Sequence, residues 1–224
     1  LLHGPCHNPT GADPDPGHWA ELADLMARGQ LVPLVDMAYQ GLGRGLDADA
    51  AGLRLLCERL PEVLVAVSCS KNFGLYRERA GAFAVVAENA ATARAIATHQ
   101  ARIGRRMYSM PPDHGAAIAA RVLSDAALYR AWADEVAAMV ARMKQLRSLL
   151  AGRLGARRPD LDFSWLTRQK GMFSLLGLAP AAIGALCNEE HVYMPPDGRI
   201  NLAGVSDTNV DRVADAIVRV IERS

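Results

Sequence analysis

Apolar residues in this chain follow two alternating periods. Short unbroken runs at 31–35, 63–67 and 80–87 are separated by longer stretches where apolar side chains return every three or four positions. The short runs predict buried strands, and the longer stretches predict amphipathic helices. Helices are expected at 15–28, 50–59, 89–102 and 113–123, followed by a long one at 125–154. In the first of these, Trp19, Leu22, Leu25 and Met26 share one face, and Gly29 is a plausible stop. Residues 1–2 read as the end of a strand, and His7-Asn8-Pro9-Thr10-Gly11 as a turn punctuated by proline and glycine. The pattern changes over 157–165. Beyond it come strands at 172–175 and 200–202 and helices at 180–190 and 209–222.

Strands alternating with helices predict an α/β fold with a mostly parallel sheet. A domain boundary is expected inside the long helix. It leaves 1–138 as part of a large domain and 139–224 as a smaller α/β domain. In open α/β sheets, ligands sit beyond the carboxyl ends of the strands. Asn8, Asp36 and Ser68 all follow apolar strand-like runs. That shared position says more than any one of the three alone.

Composition narrows the function classes. The 224 residues are 50% hydrophobic and 22% charged, with a formal net charge of +1. This balance suits a soluble enzyme and gives no electrostatic reason to expect nucleic acid or membrane as a partner. The cluster Arg102, Arg105, Arg106 is too small for a phosphate-backbone footprint. No apolar run reaches the roughly 18 residues of a membrane span. Cys6, Cys57, Cys69 and Cys187 form no CxxC pair, which points to a reducing, cytoplasmic protein rather than a disulfide framework. The chain starts at Leu1, not Met, and is expected to be part of a longer protein.

The segment Ser68-Cys69-Ser70-Lys71-Asn72-Phe73-Gly74-Leu75-Tyr76-Arg77-Glu78-Arg79 carries the most chemistry. An isolated lysine is usually a surface residue. This one directly follows an apolar run, lies among hydroxyls, and has Arg79 eight positions on. An amine there can form an imine with an aldehyde, and hydroxyls with a guanidinium can hold a phosphate. Pyridoxal 5′-phosphate carries both groups, so Lys71 reads as a cofactor anchor, with Ser68, Ser70 and Arg79 on the phosphate side. Asp36 reads either as a turn or capping residue or as the partner of a protonated pyridine nitrogen. Tyr39 is either a packed core tyrosine or a donor to the cofactor's ring oxygen, and Asn8 either a turn residue or a second contact to that oxygen or to a substrate carboxylate. Arg199 reads as a solvated charge or as a bidentate clamp on an α-carboxylate, and Arg105 as a surface charge or a second clamp. His3 and His7 have the spacing of a helical metal pair, but Pro5 and Pro9 oppose a helix there, so no metal site is expected.

Taken together, HGPCHNPTGADP, DMAYQGLGRGLDADAAGLR, SCSKNFGLYRERAGAF, YSMPPDHGA, GMFSLLGL and DGRINLAG resemble the class I (subgroup Iα) aminotransferases, the aspartate and aromatic amino acid enzymes. The resemblance implies the fold type I architecture of pyridoxal-phosphate-dependent transferases: part of the large, mostly parallel-sheet domain plus the small C-terminal domain. It implies a homodimer with shared active sites. It also implies ping-pong transfer of an amino group from an amino acid to a 2-oxo acid such as 2-oxoglutarate. By motif, Lys71 resembles the Schiff-base lysine and Asp36 the pyridinium partner, while Tyr39 and Asn8 resemble the ring-oxygen contacts. Ser68, Ser70 and Arg79 match phosphate-side residues, Arg199 the α-carboxylate arginine, Phe173 an aromatic of the substrate pocket, and Tyr76 a residue near the cofactor. Arg105 aligns with the arginine that takes a distal carboxylate across the dimer interface.

Met110 stands where aspartate-specific members usually carry asparagine, which favours aromatic substrates. The family's N-terminal phosphate-binding loop and ring-stacking aromatic have no counterpart in this sequence. Four other readings remain: an aspartate-specific enzyme, another fold type I enzyme such as a β-lyase, a pyridoxal-phosphate-dependent regulator domain, and an inactive fragment.

Overall fold

Parallel strand pairing organises the first half of the chain. In the computed structural model, which describes residues 1–223, strands β1 (Leu2–His3), β2 (Leu34–Met37), β3 (Val63–Ser68) and β4 (Gly81–Val86) form one sheet in the order β1-β2-β3-β4. The β1–β2 and β2–β3 ladders are parallel, and β4 closes the edge antiparallel to β3. Contacts divide the chain into two compact units. One comprises Leu1–Pro5, Pro14–Gly41 and Gly45–Val136; the other comprises Cys6–Asp13, Leu42–Arg44 and the chain from Ala137 onward.

The first unit contains the four-stranded sheet, α1 (Pro16–Gly29), α2 (Leu46–Arg59), α3 (Ala90–Tyr108), α4 (His114–Ser124) and the start of α5 (Ala126–Arg157). Its core joins Trp19, Ala23 and Met26 of α1 to Val35, Met37, Leu56, Val63 and Val65. Asp15 caps α1, its carboxylate accepting from the His18 N–H. The second unit holds the rest of α5, α6 (Trp165–Arg168), the antiparallel pair β5 (Phe173–Leu175) and β6 (Arg199–Asn201), α7 (Pro180–Asn188) and α8 (Val210–Glu222). Leu146, Leu150 and Leu154 of α5, Leu186 of α7 and Ile217 of α8 lie in its separate core.

Several boundaries differ from the sequence expectation. β2 begins at Leu34 rather than 31, because Pro33 has no N–H to donate and Leu31 and Val32 are exposed. Asp36 is therefore inside the strand rather than after it, and Ser68 is the last residue of β3. Helix α2 starts four residues early, at Leu46, where Asp47 and Asp49 suit the positive helix start. Helix α3 continues to Tyr108, and Arg105 and Arg106 in its last turn suit the negative helix end. Arg199 belongs to β6 rather than preceding it. Among the described residues, no helix is long and apolar enough to cross a membrane.

Helices α1 and α2 meet at Gly52, where an added Cβ would lie 2.3 Å from the Trp19 ring. Gly52→Ala is expected to force this packing apart and lower stability by about 1–3 kcal/mol. A shift in the denaturant midpoint would measure it.

Candidate active site

Each unit brings together its own set of the residues singled out in the sequence. In the first unit, β2 and β3 run parallel with Asp36 opposite Ala66 and Met37 opposite Val67, so the chain leaves both strands at the same end of the sheet. The segment after β2 carries Tyr39, and the segment after β3 carries Lys71. The Lys71 amine lies 4.6 Å from the centroid of the buried Tyr39 ring. The Asp36 backbone carbonyl accepts from the Gly4 N–H, and one carboxylate oxygen accepts from the Ala38 N–H at 2.9 Å. Among the described residues neither Asp36 nor Lys71 forms an ion pair, although both are only half-buried.

The Ser68 hydroxyl donates to the Ser70 hydroxyl at 3.0 Å and accepts from the Ser70 N–H at 3.1 Å, folding the two hydroxyls together just before Lys71. Arg79 is exposed, with a backbone φ of 54°, and donates to the Tyr76 carbonyl at 2.9 Å. No bond joins its guanidinium to either serine. Arg105 is exposed on the last turn of α3. Tyr76 and Met110 are exposed as well. Burial pushes the Cys69 thiol up, which favours its neutral S–H form.

In the second unit, Asn8 and Arg199 meet across 191 positions of sequence: Arg199 Nη1 donates to Asn8 Oδ1 at 2.7 Å. The Arg199 guanidinium also lies over the Phe173 ring, 4.9 Å from its centroid. The turn bearing Asn8 is shaped by Asp13, whose two carboxylate oxygens accept from the Cys6 and His7 N–H groups at 2.9 Å each. His7 Nδ1 and the Thr10 hydroxyl, 2.7 Å apart, close it further. Among the described residues no group of three or more histidine, cysteine, aspartate or glutamate side chains is placed to hold a metal ion.

A profile of the family described as aminotransferase class I and II matches residues 1–217. The chain belongs to the class I and II aminotransferase family. It is 48% identical over 221 residues to an aspartate aminotransferase of Haemophilus influenzae, covering 99% of this chain and 56% of the relative. It is 49% identical over 214 residues to a tyrosine aminotransferase of Rhizobium meliloti, covering 96% and 54%. An aromatic-amino-acid aminotransferase from Burkholderia pseudomallei, solved covalently bound to pyridoxal phosphate, superposes with a TM-score of 0.95 at 40% identity, over 98% of this chain and 55% of that one. The fold is therefore that of the pyridoxal-phosphate-dependent aminotransferases. The chain spans about half the length of the relatives it matches.

Sequence reasoning missed the residues that hold the lysine segment in place. The Trp132 indole stacks on Phe73 with centroids 4.5 Å apart and planes 16° from parallel. Its N–H donates to the Asn72 carbonyl at 2.8 Å, while the buried Asn72 amide donates to the Gln40 carbonyl at 3.1 Å. These bonds tie the residue after Lys71 to α5 and to the segment bearing Tyr39. The only signal in the sequence was a tryptophan within a long helix, which reads equally well as core packing. Trp132→Phe, which removes the hydrogen bond and part of the indole's packing but keeps an aromatic ring beside Phe73, is expected to cost about 1–2 kcal/mol. Trp132→Ala, which also removes the stack, is expected to cost about 3 kcal/mol. Equilibrium unfolding of both variants checks this order.

Proposed function

We propose that this chain carries the catalytic lysine and the carboxylate-binding residues of a pyridoxal-phosphate-dependent aminotransferase. On this reading the enzyme passes an amino group from an aromatic amino acid, aspartate or both to a 2-oxo acid such as 2-oxoglutarate. The observation that carries the proposal is the Lys71 amine held over the Tyr39 ring where parallel β3 ends, beside the strand bearing Asp36.

The residues present fit the cofactor. A half-buried carboxylate and a half-buried amine, neither ion-paired, suit a ligand that offers a ring cation to one and an aldehyde to the other. The paired hydroxyls of Ser68 and Ser70, with Arg79, would hold its phosphate. When bound, pyridoxal 5′-phosphate supplies an aldehyde for covalent capture and a ring that accepts electrons from the substrate's α-carbon.

The chain's own residues then divide the work. Lys71 would anchor the aldehyde carbon, and as a free amine its Nζ would take the proton from the substrate Cα. Asp36 would hold a proton at the ring nitrogen, and Tyr39 and Asn8 would donate to the ring oxygen. Arg199 has one Nη on Asn8 and its face on Phe173, which leaves the remaining donors of a fixed fork for the substrate α-carboxylate. Arg105 would take a distal carboxylate as part of a homodimer with shared sites. The exposed side chains of Ile103, Met107, Tyr108 and Met110 around it support an interface there. The four free cysteines fit the reducing cytoplasm as its location.

Apolar Met110 supports the aromatic preference. The likeness to an aspartate aminotransferase supports the aspartate-specific alternative.

In protein expressed from the complete open reading frame, Lys71→Ala is expected to abolish borohydride-dependent attachment of the cofactor and to lower transamination by about 10³-fold or more. Attachment that persists in the variant refutes the assignment of the anchor. Initial rates for phenylalanine, tyrosine and aspartate with 2-oxoglutarate are expected to favour the aromatic donors, and activity on aspartate alone decides for the alternative.

A further inference from the structure

The most deeply buried charge among the described residues is not a residue of the proposed chemistry. Arg147, in α5, is 2% exposed. Its Nη1 donates to the Leu166 carbonyl at 3.1 Å and the Ser174 hydroxyl at 2.7 Å. Its Nη2 donates to the carbonyls of Lys170, Gly171 and Phe173 at 3.2, 2.9 and 2.8 Å. Its Nε is buried without a hydrogen-bond partner. Burial pulls the guanidinium down to about 10, against the raising influence of Cys6 and Asp13, so it remains charged at neutral pH. A buried cation with one unmatched N–H is costly, and helix α5 could pack a methionine or leucine there without that cost. The acceptors show what the charge holds: all five lie in one segment, 166–174.

That segment reaches Arg199 by two routes. Along the first, the Phe173 carbonyl is bonded to Arg147, and the Phe173 ring lies under the Arg199 guanidinium. Along the second, the Lys170 N–H donates to the Gly11 carbonyl at 2.8 Å, fixing the turn whose Asn8 accepts from Arg199. The seat is tight. A Cβ on Gly11, at φ +67°, would lie 2.6 Å from the Phe173 carbonyl oxygen, and one on Gly171, at φ +74°, would lie 2.4 Å from the Cys6 Cβ.

We propose that Arg147 is the positioning residue of the carboxylate site, fixing segment 166–174 and, through Phe173 and Asn8, the plane of the Arg199 fork. It touches neither substrate nor cofactor. The proposal rests on the aminotransferase reading above and adds to it the residue that sets the affinity of its carboxylate clamp. A fork that must meet a carboxylate with two parallel bonds tolerates little misplacement, and errors of about 1 Å in such a group cost on the order of 10²-fold.

The test uses protein expressed from the complete open reading frame. Wild type is first assayed for cofactor attachment and transamination; failure there refutes the aminotransferase reading and not the role of Arg147. Arg147→Lys keeps the charge and loses the fork. With the cofactor attached as in wild type, it is expected to raise KM for the amino acid and for 2-oxoglutarate at least about tenfold. At saturating substrate kcat is expected to change much less, because Lys71 is untouched. A variant that loses thermal stability but keeps both KM values overturns the proposal by showing that Arg147 is only structural. Full rescue of KM by lysine overturns it too, since charge rather than geometry would then be enough. Should Arg147→Lys fail to fold, Ser174→Ala removes one acceptor and leaves the rest. It is expected to raise both KM values severalfold, and unchanged KM values in that variant overturn the proposal.

Discussion

Parallel pairing of β2 with β3 is the constraint on which the first unit depends. Parallel strands share an end, so whatever follows Met37 and Ser68 must emerge at the same end of the sheet. An antiparallel pair would have sent the two exits to opposite ends, and the Tyr39 ring and the Lys71 amine could not have met. The hydrophobic burial of Val35, Met37, Val63 and Val65 fixes the register, since a slip of one residue would turn these side chains out of the core. The position of Lys71 is thus set by ordinary apolar residues several positions upstream.

The second unit meets the same need by other means. β5 and β6 form only a two-stranded sheet, and such a ribbon has little rigidity of its own. Its β5 strand is bonded to the buried Arg147 guanidinium through Phe173 and Ser174, and the turn at 6–13 is bonded to Lys170 just before it. Packing positions the segments bearing Tyr39 and Lys71 in one unit, and a polar network holds the Asn8 and Arg199 pair in the other. Polar networks are directional, so they fix the orientation of a side chain as well as its position.

The legible and illegible parts of the sequence divide on range. Lys71, Tyr39 and the serine pair stand out in the sequence because their polar groups are concentrated within a few residues of a strand end. The strand itself was misplaced at β2, because an apolar run records hydrophobicity and not where Pro33 lets a ladder begin. The meeting of Asn8 and Arg199 was recoverable only through resemblance to a family, since no local pattern links residues so far apart. Arg147 left no signal. On a helix rich in arginine it looks like a solvated charge, and only the five acceptors folded around it distinguish it from its neighbours.

The Trp132 stack has an optical consequence. The chain has three tryptophans, and Trp132 lies in ring contact with Phe73, its N–H on the carbonyl of the residue after Lys71. Indole emission responds to the polarity and hydrogen bonding of its surroundings. With Trp19 and Trp165 replaced, this one ring becomes a built-in fluorophore whose colour and lifetime follow the lysine turn in real time, without an attached dye.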